Sequence, residues 1–130
     1  MPTEIRKIWD TSGRVIEEYE VRDGVIDGYR KLLSPTGRLL GEARYRNGIL
    51  EGASREWNEA GQVTRECSYH EGELHGDYRA WWDNGQLKED GAFERGQRIG
   101  KYTWYRDDGT VWQTANLPRR GDTGTPPGKT

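Results

Sequence analysis

Apolar and aromatic residues occur along the chain in short segments separated by turn-forming residues. Four of these segments are eight residues long, the length of a β-strand; they are Val15–Arg22, Leu39–Arg46, Val63–His70 and Leu87–Glu94. Shorter segments between them, such as 78–82 and 102–105, carry aromatic residues that favour strands. Because each unit is too short for a pair of helices, the pattern predicts an all-β chain built of hairpins.

Glycines recur every 24 residues in three series, with no insertion or deletion between copies. These structural repeat glycines are Gly13, Gly37, Gly61, Gly85 and Gly109, then Gly24, Gly48, Gly72 and Gly96, then Gly28, Gly52, Gly76 and Gly100. The series predict a tandem repeat array over residues 4–117, with four full repeats and two half repeats. Each repeat is expected to pack only against its neighbours.

Asn and Asp before glycine tolerate a left-handed backbone and mark tight reversals of the chain. Such pairs are Asp23-Gly24, Asn47-Gly48, Asn84-Gly85 and Asp108-Gly109. The spacing from Gly48 to Gly52 predicts a wider loop at the opposite end of each hairpin. The predicted fold is therefore a single elongated antiparallel meander sheet of tandem β-hairpins, with about ten strands.

Large side chains follow the same period in two columns that are 12 residues apart. Together they are Trp9, Val21, Leu33, Tyr45, Trp57, Tyr69, Trp81, Phe93, Tyr105 and Leu117. Equivalent residues of successive repeats lie two strands apart, about 10 Å, so they touch only if the second column lies between them on the same face. We expect the two columns to interleave as one continuous ladder that forms the core.

Charges are also periodic. One column is acidic and the next is basic, and the predicted register places Lys31 near Glu42, Arg55 near Glu66, and Arg79 near Asp90. Such cross-strand pairs support solubility and contribute roughly 0.2–1 kcal/mol each. An alternating row of charges could also steer a charged partner.

Composition narrows the class of protein. Hydrophobic and charged residues are each 32% of the chain, and the formal net charge is −2. This balance disfavours nucleic-acid binding and simple docking on anionic membranes, both of which need a basic surface. The chain has no apolar run of transmembrane length, no signal-peptide segment and a single cysteine, so we expect a cytoplasmic protein. Residues 118–130 lack the period and are expected to form a disordered tail.

Only one cluster has residue types that ligate metals, namely Cys67, His70 and His75. Cys67 shares a column of small residues with Ala43 and Ala115, so a packed thiol is the simpler interpretation, and we expect no metal and no cofactor. Paired carboxylates are frequent because acids are abundant, and a thin sheet offers no apolar cleft to raise their pKa values. The chain is therefore not expected to be an enzyme.

Aromatic residues outside the ladder concentrate in the C-terminal half of the chain. If several are exposed together, they form a partner-binding patch; the candidates are Tyr78, Trp81, Trp82, Tyr102, Trp104 and Trp112. The alternative is that these side chains cover the second face of the sheet and bind nothing.

The sequence Asn47-Gly48-x-x-x-Gly52, followed by a nine-residue step to Gly61 with an aromatic residue just before the turn, resembles the MORN repeat. The resemblance extends over roughly residues 4–117. The 24-residue form is similar to the bacterial MORN variant, whose members are often labelled antitoxins of toxin–antitoxin systems. The resemblance implies a scaffold that binds a protein partner, or, as for eukaryotic members, one that attaches to membranes.

Three functions follow as hypotheses. The first is a non-catalytic protein-binding module, in its concrete form an antitoxin- or immunity-like protein that holds a toxin-like or scaffold partner on its aromatic face. The second is a membrane-associated scaffold, and the third is carbohydrate binding by exposed Trp and Tyr side chains. The two half repeats at the sheet edges either cap the array or pair edge to edge with another copy.

Overall fold

The computed structural model describes residues 3–119, and these residues form one open antiparallel sheet. The strands are β1 (Glu4–Trp9), β2 (Val15–Arg22), β3 (Val25–Leu33), β4 (Leu39–Arg46), β5 (Ile49–Trp57), β6 (Val63–His70), β7 (Glu73–Leu74), β8 (Gly76–Trp81), β9 (Leu87–Glu94), β10 (Gln97–Tyr105) and β11 (Val111–Leu117). Strands pair with the next strand in chain order, except that β6 pairs with both β7 and β8. The all-β meander predicted from the sequence is confirmed. Most of the predicted tail, residues 120–130, lies outside the described residues.

The sheet has ten strand positions, although it contains eleven strands. The short β7 and the following β8 both pair with β6, and His75 interrupts them. The backbone N–H of His75 donates to the carbonyl oxygen of Ser68 on β6, at 2.9 Å, so the interruption stays hydrogen-bonded to the sheet. The prediction of about ten strands therefore agrees with the number of strand positions across the sheet.

Two kinds of reversal alternate along the array. At one end of the sheet, two-residue turns such as Asn47-Gly48 have positive φ at both residues, 48° and 83°, which is typical of the hairpin turn that matches strand twist. At the other end, wider reversals such as Asn58–Gln62 are closed by the N–H of Gly61 on the carbonyl of Asn58, at 2.9 Å. Asn84-Gly85 and Asp108-Gly109 lie in reversals of this wider kind.

The predicted loop between Gly48 and Gly52 is wrong. Gly52 lies inside β5 with φ at 99°, next to a shift in the pairing of β4 with β5. A side chain rarely adopts this backbone conformation, so glycine is required to make the bulge. All thirteen structural repeat glycines have positive φ, between 64° and 118°.

The predicted ladder of large side chains is also wrong. Tyr45 lies opposite Leu50 near one end of β5, whereas Trp57 lies at the other end of the same strand, opposite Val63. Seven residues of strand separate the two levels, about 23 Å. Because side chains alternate between faces, an odd separation also places Leu50 and Trp57 on opposite sides of the sheet. The two columns therefore cannot interleave.

One face of the sheet, here called the aromatic face, has a central row of residues that are large in some strands and small in others. Registered pairs along it include Arg30 with Ala43, Ser54 with Cys67, and Tyr78 with Gly91. The described core is small and concentrates toward the C-terminal half; its buried hydrophobic residues are Val21, Cys67, Ala80, Phe93, Ile99 and Tyr102. Stability thus rests on neighbour-to-neighbour packing and not on one large core.

The opposite face carries a row of alternating charges, here called the charge stripe. Directly paired residues on successive strands form it; they are Lys7, Glu18, Lys31, Glu42, Arg55, Glu66, Arg79 and Asp90. The three predicted pairings are confirmed in register. Ion pairs join Arg55 Nε to Glu66 Oε2 at 2.8 Å and Arg79 Nε to Asp90 Oδ1 at 3.3 Å.

Candidate partner-binding site

A repeated β-bulge determines where the last tryptophan points. In each repeat, one residue is extra on the strand that follows a wide reversal; these residues are Ile16, Leu40, Thr64, Lys88 and Trp112. On β11, Val111 pairs with Tyr105 and Gln113 pairs with Trp104, so Trp112 has no partner of its own. The bulge turns the Trp112 side chain toward the face that carries Trp104.

Three indole rings converge there on one groove at the C-terminal end of the sheet. Trp82 comes from the reversal after β8, Trp104 from β10 and Trp112 from β11. The groove has a volume of about 450 Å³, and its other lining residues are Lys88, Glu89, Tyr105, Arg106 and Asp107. Trp112 is 60% exposed, which leaves much of its apolar ring available to a partner.

The groove is held by contacts within its reversals and by one hydrogen bond between neighbouring repeats. Trp82 Nε1 donates to the carbonyl oxygen of Tyr105, 23 residues further on, at 3.3 Å. The ammonium of Lys88 lies 4.6 Å from the centre of the Trp82 ring, a cation–π distance. Arg106 donates to the carbonyl of Val111 at 3.0 Å. These contacts hold the wall formed by Trp82 and the reversal at Arg106 within the protein itself.

An aromatic row supports the groove from inside the sheet. The rings of Tyr78, Phe93, Tyr102 and Trp104 succeed one another with centroid distances of 5.1, 5.9 and 4.7 Å. The guanidinium of Arg98 lies within 6 Å of the last three ring centres. Such contacts add to the packing energy of the rings and order the wall that Trp104 contributes.

The charge of Glu89 is compensated within the protein. Its Oε1 accepts a hydrogen bond from the Tyr102 hydroxyl at 2.9 Å and lies 3.5 Å from Arg98 Nη2. Burial raises the pKa of Tyr102, so the hydroxyl remains a proton donor to Glu89. Lys88 and Arg106 are the cations of the groove, and Asp107 is its remaining acid.

The six residues proposed from the sequence divide into three groups. Trp82, Trp104 and Trp112 line the groove together. Tyr78 and Tyr102 lie in the aromatic row, and Tyr102 is fully buried at 0% exposure; its ring therefore supports the groove and offers a partner no surface. Trp81 pairs with Leu87 next to the bulge, and strand alternation from Ala80 places it away from the groove, on the opposite face.

Sequence reasoning missed the cations. Lys88 occupies the bulge column that holds Trp112 in the next repeat, and Arg98 lies two residues before Gly100 of the third glycine series. The 24-residue period could have placed Lys88 near Trp112. No sequence signal places Arg98 over the aromatic row, because β10 has an irregular register with β9 between Ile99 and Thr103.

Cys67, His70 and His75 are not one cluster. Cys67 is buried in the central row of the aromatic face, and burial raises the pKa of its thiol. The rings of His70 and His75 are 5.8 Å apart, and strand alternation directs His70 away from Cys67. In residues 3–119, no three Cys, His, Asp or Glu side chains form a group that could hold a metal ion. The same residues contain no helix that is long and apolar enough to cross a membrane.

Comparison with known proteins gives one family match. The model of the MORN repeat variant matches residues 50–71 and 74–94, two adjacent repeats of the array. Each match begins close to the start of one hairpin and includes its wide reversal, at Asn58–Gln62 or Trp82–Gln86. These two repeats are therefore similar to MORN repeats, which typically bind proteins or membranes. No curated protein matches the chain.

Proposed function

We propose that the chain is a non-catalytic protein-binding module whose partner site is the groove between Trp82, Trp104 and Trp112. The observation that carries the proposal is the exposure of Trp112, 60%, on a groove that two further indole rings line. Tryptophan is the residue most enriched among interface hot spots, because its large ring gains much from desolvation. A scaffold role for the ring would not require it to face solvent.

The groove favours a protein segment with an apolar anchor flanked by acidic residues. The three indoles offer the apolar contact, and Lys88 and Arg106 place two cations at its rim. Within the protein, Arg98 already neutralises Glu89. The two cations at the rim therefore outnumber its remaining acid, Asp107, and an acidic residue of the partner would be attracted to the rim. Charge complementarity of this kind raises association rates and selects partners.

In its finer form, the proposal is that the partner is a toxin-like protein and that the chain acts as its antitoxin or immunity protein. The support is the 24-residue form of the repeat, which resembles the bacterial variant with that label. A protein that occludes a partner's working surface needs a rigid apolar platform, and the groove offers one. Coexpression tests the finer form: the chain should rescue growth that the recovered partner alone inhibits.

The proposal is tested by comparing two equally exposed tryptophans. Trp9 on β1 is 57% exposed and lies at the far end of the sheet from Trp112. The full chain, Trp112→Ala and Trp9→Ala are each purified from the source organism at native abundance. We expect one stoichiometric partner with the full chain and with Trp9→Ala, and a loss of roughly thirty-fold in affinity for that partner with Trp112→Ala.

Equal recovery with all three proteins would place the site elsewhere, and the absence of any partner would count against a binding module. Two further measurements address the other classes. Flotation with vesicles containing anionic lipid would indicate a membrane scaffold, and binding on a glycan array that Trp112→Ala abolishes would indicate carbohydrate recognition. We expect neither result.

A further inference from the structure

The last strand differs from all other strands of residues 3–119 in having no charged side chain. β11 reads Val-Trp-Gln-Thr-Ala-Asn-Leu, whereas every strand from β1 to β10 contains at least one Asp, Glu, Lys or Arg. The contrast with the other edge is sharp, because β1 carries Glu4, Arg6 and Lys7. Charges on an edge strand prevent unwanted pairing with other chains. β1 has this protection and β11 lacks it.

The charge stripe stops where β11 would extend it. Asp90 is its last charge, and the next two registered positions are Thr103 on β10 and Thr114 on β11. Thr114 occupies the column that is acidic in every preceding repeat, at Glu18, Glu42, Glu66 and Asp90. The charge stripe is thus interrupted only on β10 and β11, the two strands at this edge.

The outer edge of β11 is open and partly apolar. Among the described residues, only β10 pairs with β11. Val111 is 51% exposed and Trp112 is 60% exposed. An open edge presents unpaired N–H and C=O groups that a second strand can satisfy.

We propose that β11 pairs antiparallel with β11 of a second copy of this chain, about a two-fold axis at Thr114. In this register Thr114 faces Thr114 and Gln113 faces Ala115 on each side of the axis, and the bulge at Trp112 lies just beyond these pairs. The pairs contain no charge, and threonine opposite threonine is a favourable cross-strand pair. The two sheets then form one continuous sheet with the two grooves on the same face, one on each side of the axis.

Pairing between the β11 strands of two copies is more favourable than any pairing that uses β1. A β1–β1 pair would bring the cations Arg6 and Lys7 of both copies close together, which is unfavourable. Pairing of β11 with β1 would leave a free β1 and a free β11 at every stage and would continue as an open polymer. The two-fold arrangement uses both uncharged edges and closes with two copies.

The test compares the full chain with two variants at Thr114. Sedimentation equilibrium over a wide concentration range measures their self-association. Thr114→Glu restores the acid found at this column in the other repeats, so the fold of the single copy should be preserved; circular dichroism and the melting temperature check this. In the proposed dimer it places Glu opposite Glu. Thr114→Lys places Lys opposite Lys. We expect the full chain to dimerise and each variant to dissociate at least roughly ten-fold more readily.

Mixing the two variants gives the decisive result. Thr114→Glu with Thr114→Lys places opposite charges at the axis, and we expect a heterodimer at least as tight as the unmodified dimer. Tighter association of Thr114→Glu alone would overturn the proposal in favour of pairing with β1, where Lys7 would meet the new acid. A full chain that remains monomeric at all concentrations, or a dimer that neither variant changes, would also overturn it. The measurement needs no ligand and is independent of the groove's partner.

Discussion

The ring of Tyr102 lies directly over Gly91, and the two residues come from neighbouring strands, β10 and β9. A Cβ atom at Gly91 would lie 2.2 Å from Tyr102 Cδ2 and 2.6 Å from Cε2. Gly91 occupies the column that holds Ala43, Cys67 and Ala115 in other repeats. The smallest possible residue thus stands where the largest ring of the core needs space, and Tyr102 is completely buried as a result.

Gly91→Ala is expected to destabilise the protein by about 1–3 kcal/mol, the usual cost of overpacking a core. Gly91 has no positive φ, so the effect comes from the ring and not from the backbone. The free energy of unfolding in urea measures it. Gly41→Ala is the matched control, because its Cβ would meet Leu32 at an ordinary 3.6 Å. There the change should be neutral or slightly stabilising; equal losses at both positions would contradict the packing argument.

Arg98→Lys is expected to destabilise the aromatic row by about 1 kcal/mol. A lysine keeps the charge next to Glu89 but loses the flat guanidinium that lies over Phe93, Tyr102 and Trp104. Chemical denaturation gives the stability, and the emission of the tryptophans reports on the surroundings of Trp104. Arg79→Lys on the charge stripe is the control, since no aromatic ring contact is seen for Arg79 among the described residues. A similar loss for both variants would indicate that only charge matters.

The pair of Glu51 and His70 is expected to make the stability of one hairpin end depend on pH. Its carboxylate lies 2.9 Å from His70 Nδ1 and raises the pKa of His70 above the ordinary value of 6.5. A raised histidine pKa stabilises the fold fully below 6.5, and this contribution is lost as the pH rises through the higher folded value. We expect Glu51→Gln to lower the pKa of His70 toward 6.5 in an NMR titration. Glu59→Gln removes the same charge elsewhere and should leave it unchanged.

Glu51, the acid of the same pair, changes the stability of the fold with pH in the opposite direction from His70. The backbone N–H of Glu71, followed by His70, lowers the pKa of Glu51 below its ordinary 4.5. Its contribution to stability is therefore present above pH 4.5 and is lost as the pH falls through the folded value. Melting temperatures across this range should converge for the full chain and Glu51→Gln at the acid end. A constant difference down to that end would argue against the pair.

Reversing one charge of the stripe tests its electrostatic role. Arg55 faces Glu42 on one side and Glu66 on the other, so Arg55→Glu creates three adjacent acids. We expect a loss of roughly 1 kcal/mol at low salt, and a smaller loss in about 1 M salt because surface charges are screened. Lys101→Glu, opposite the neutral Asn116, should cost less and depend less on salt. A loss for Arg55→Glu that salt does not reduce would indicate a packing effect.

The sequence by itself determined the reversals of the chain and the pairing that follows from them. Left-handed turns require glycine or a few polar residues, so the first two glycine series mark where strands begin and end, whereas the third series lies within the strands at bulges. The positions of the turns set the strand register, which places Arg55 opposite Glu66 and Arg79 opposite Asp90. Both pairs could therefore be predicted from their sequence columns. Local backbone chemistry was sufficient for these features.

Only the tertiary structure decided which side chains meet. A bulge adds one residue to a strand and redirects the side chain there, which is why Trp112 joins Trp82 and Trp104 while Trp81 does not. The predicted ladder failed because Tyr45 and Trp57 lie near opposite ends of the β4–β5 hairpin, and the sequence period does not contain this distance. Likewise, the fit of Tyr102 over Gly91 depends on the irregular pairing of β9 with β10. Such contacts depend on register and bulge geometry, which arise from packing between strands.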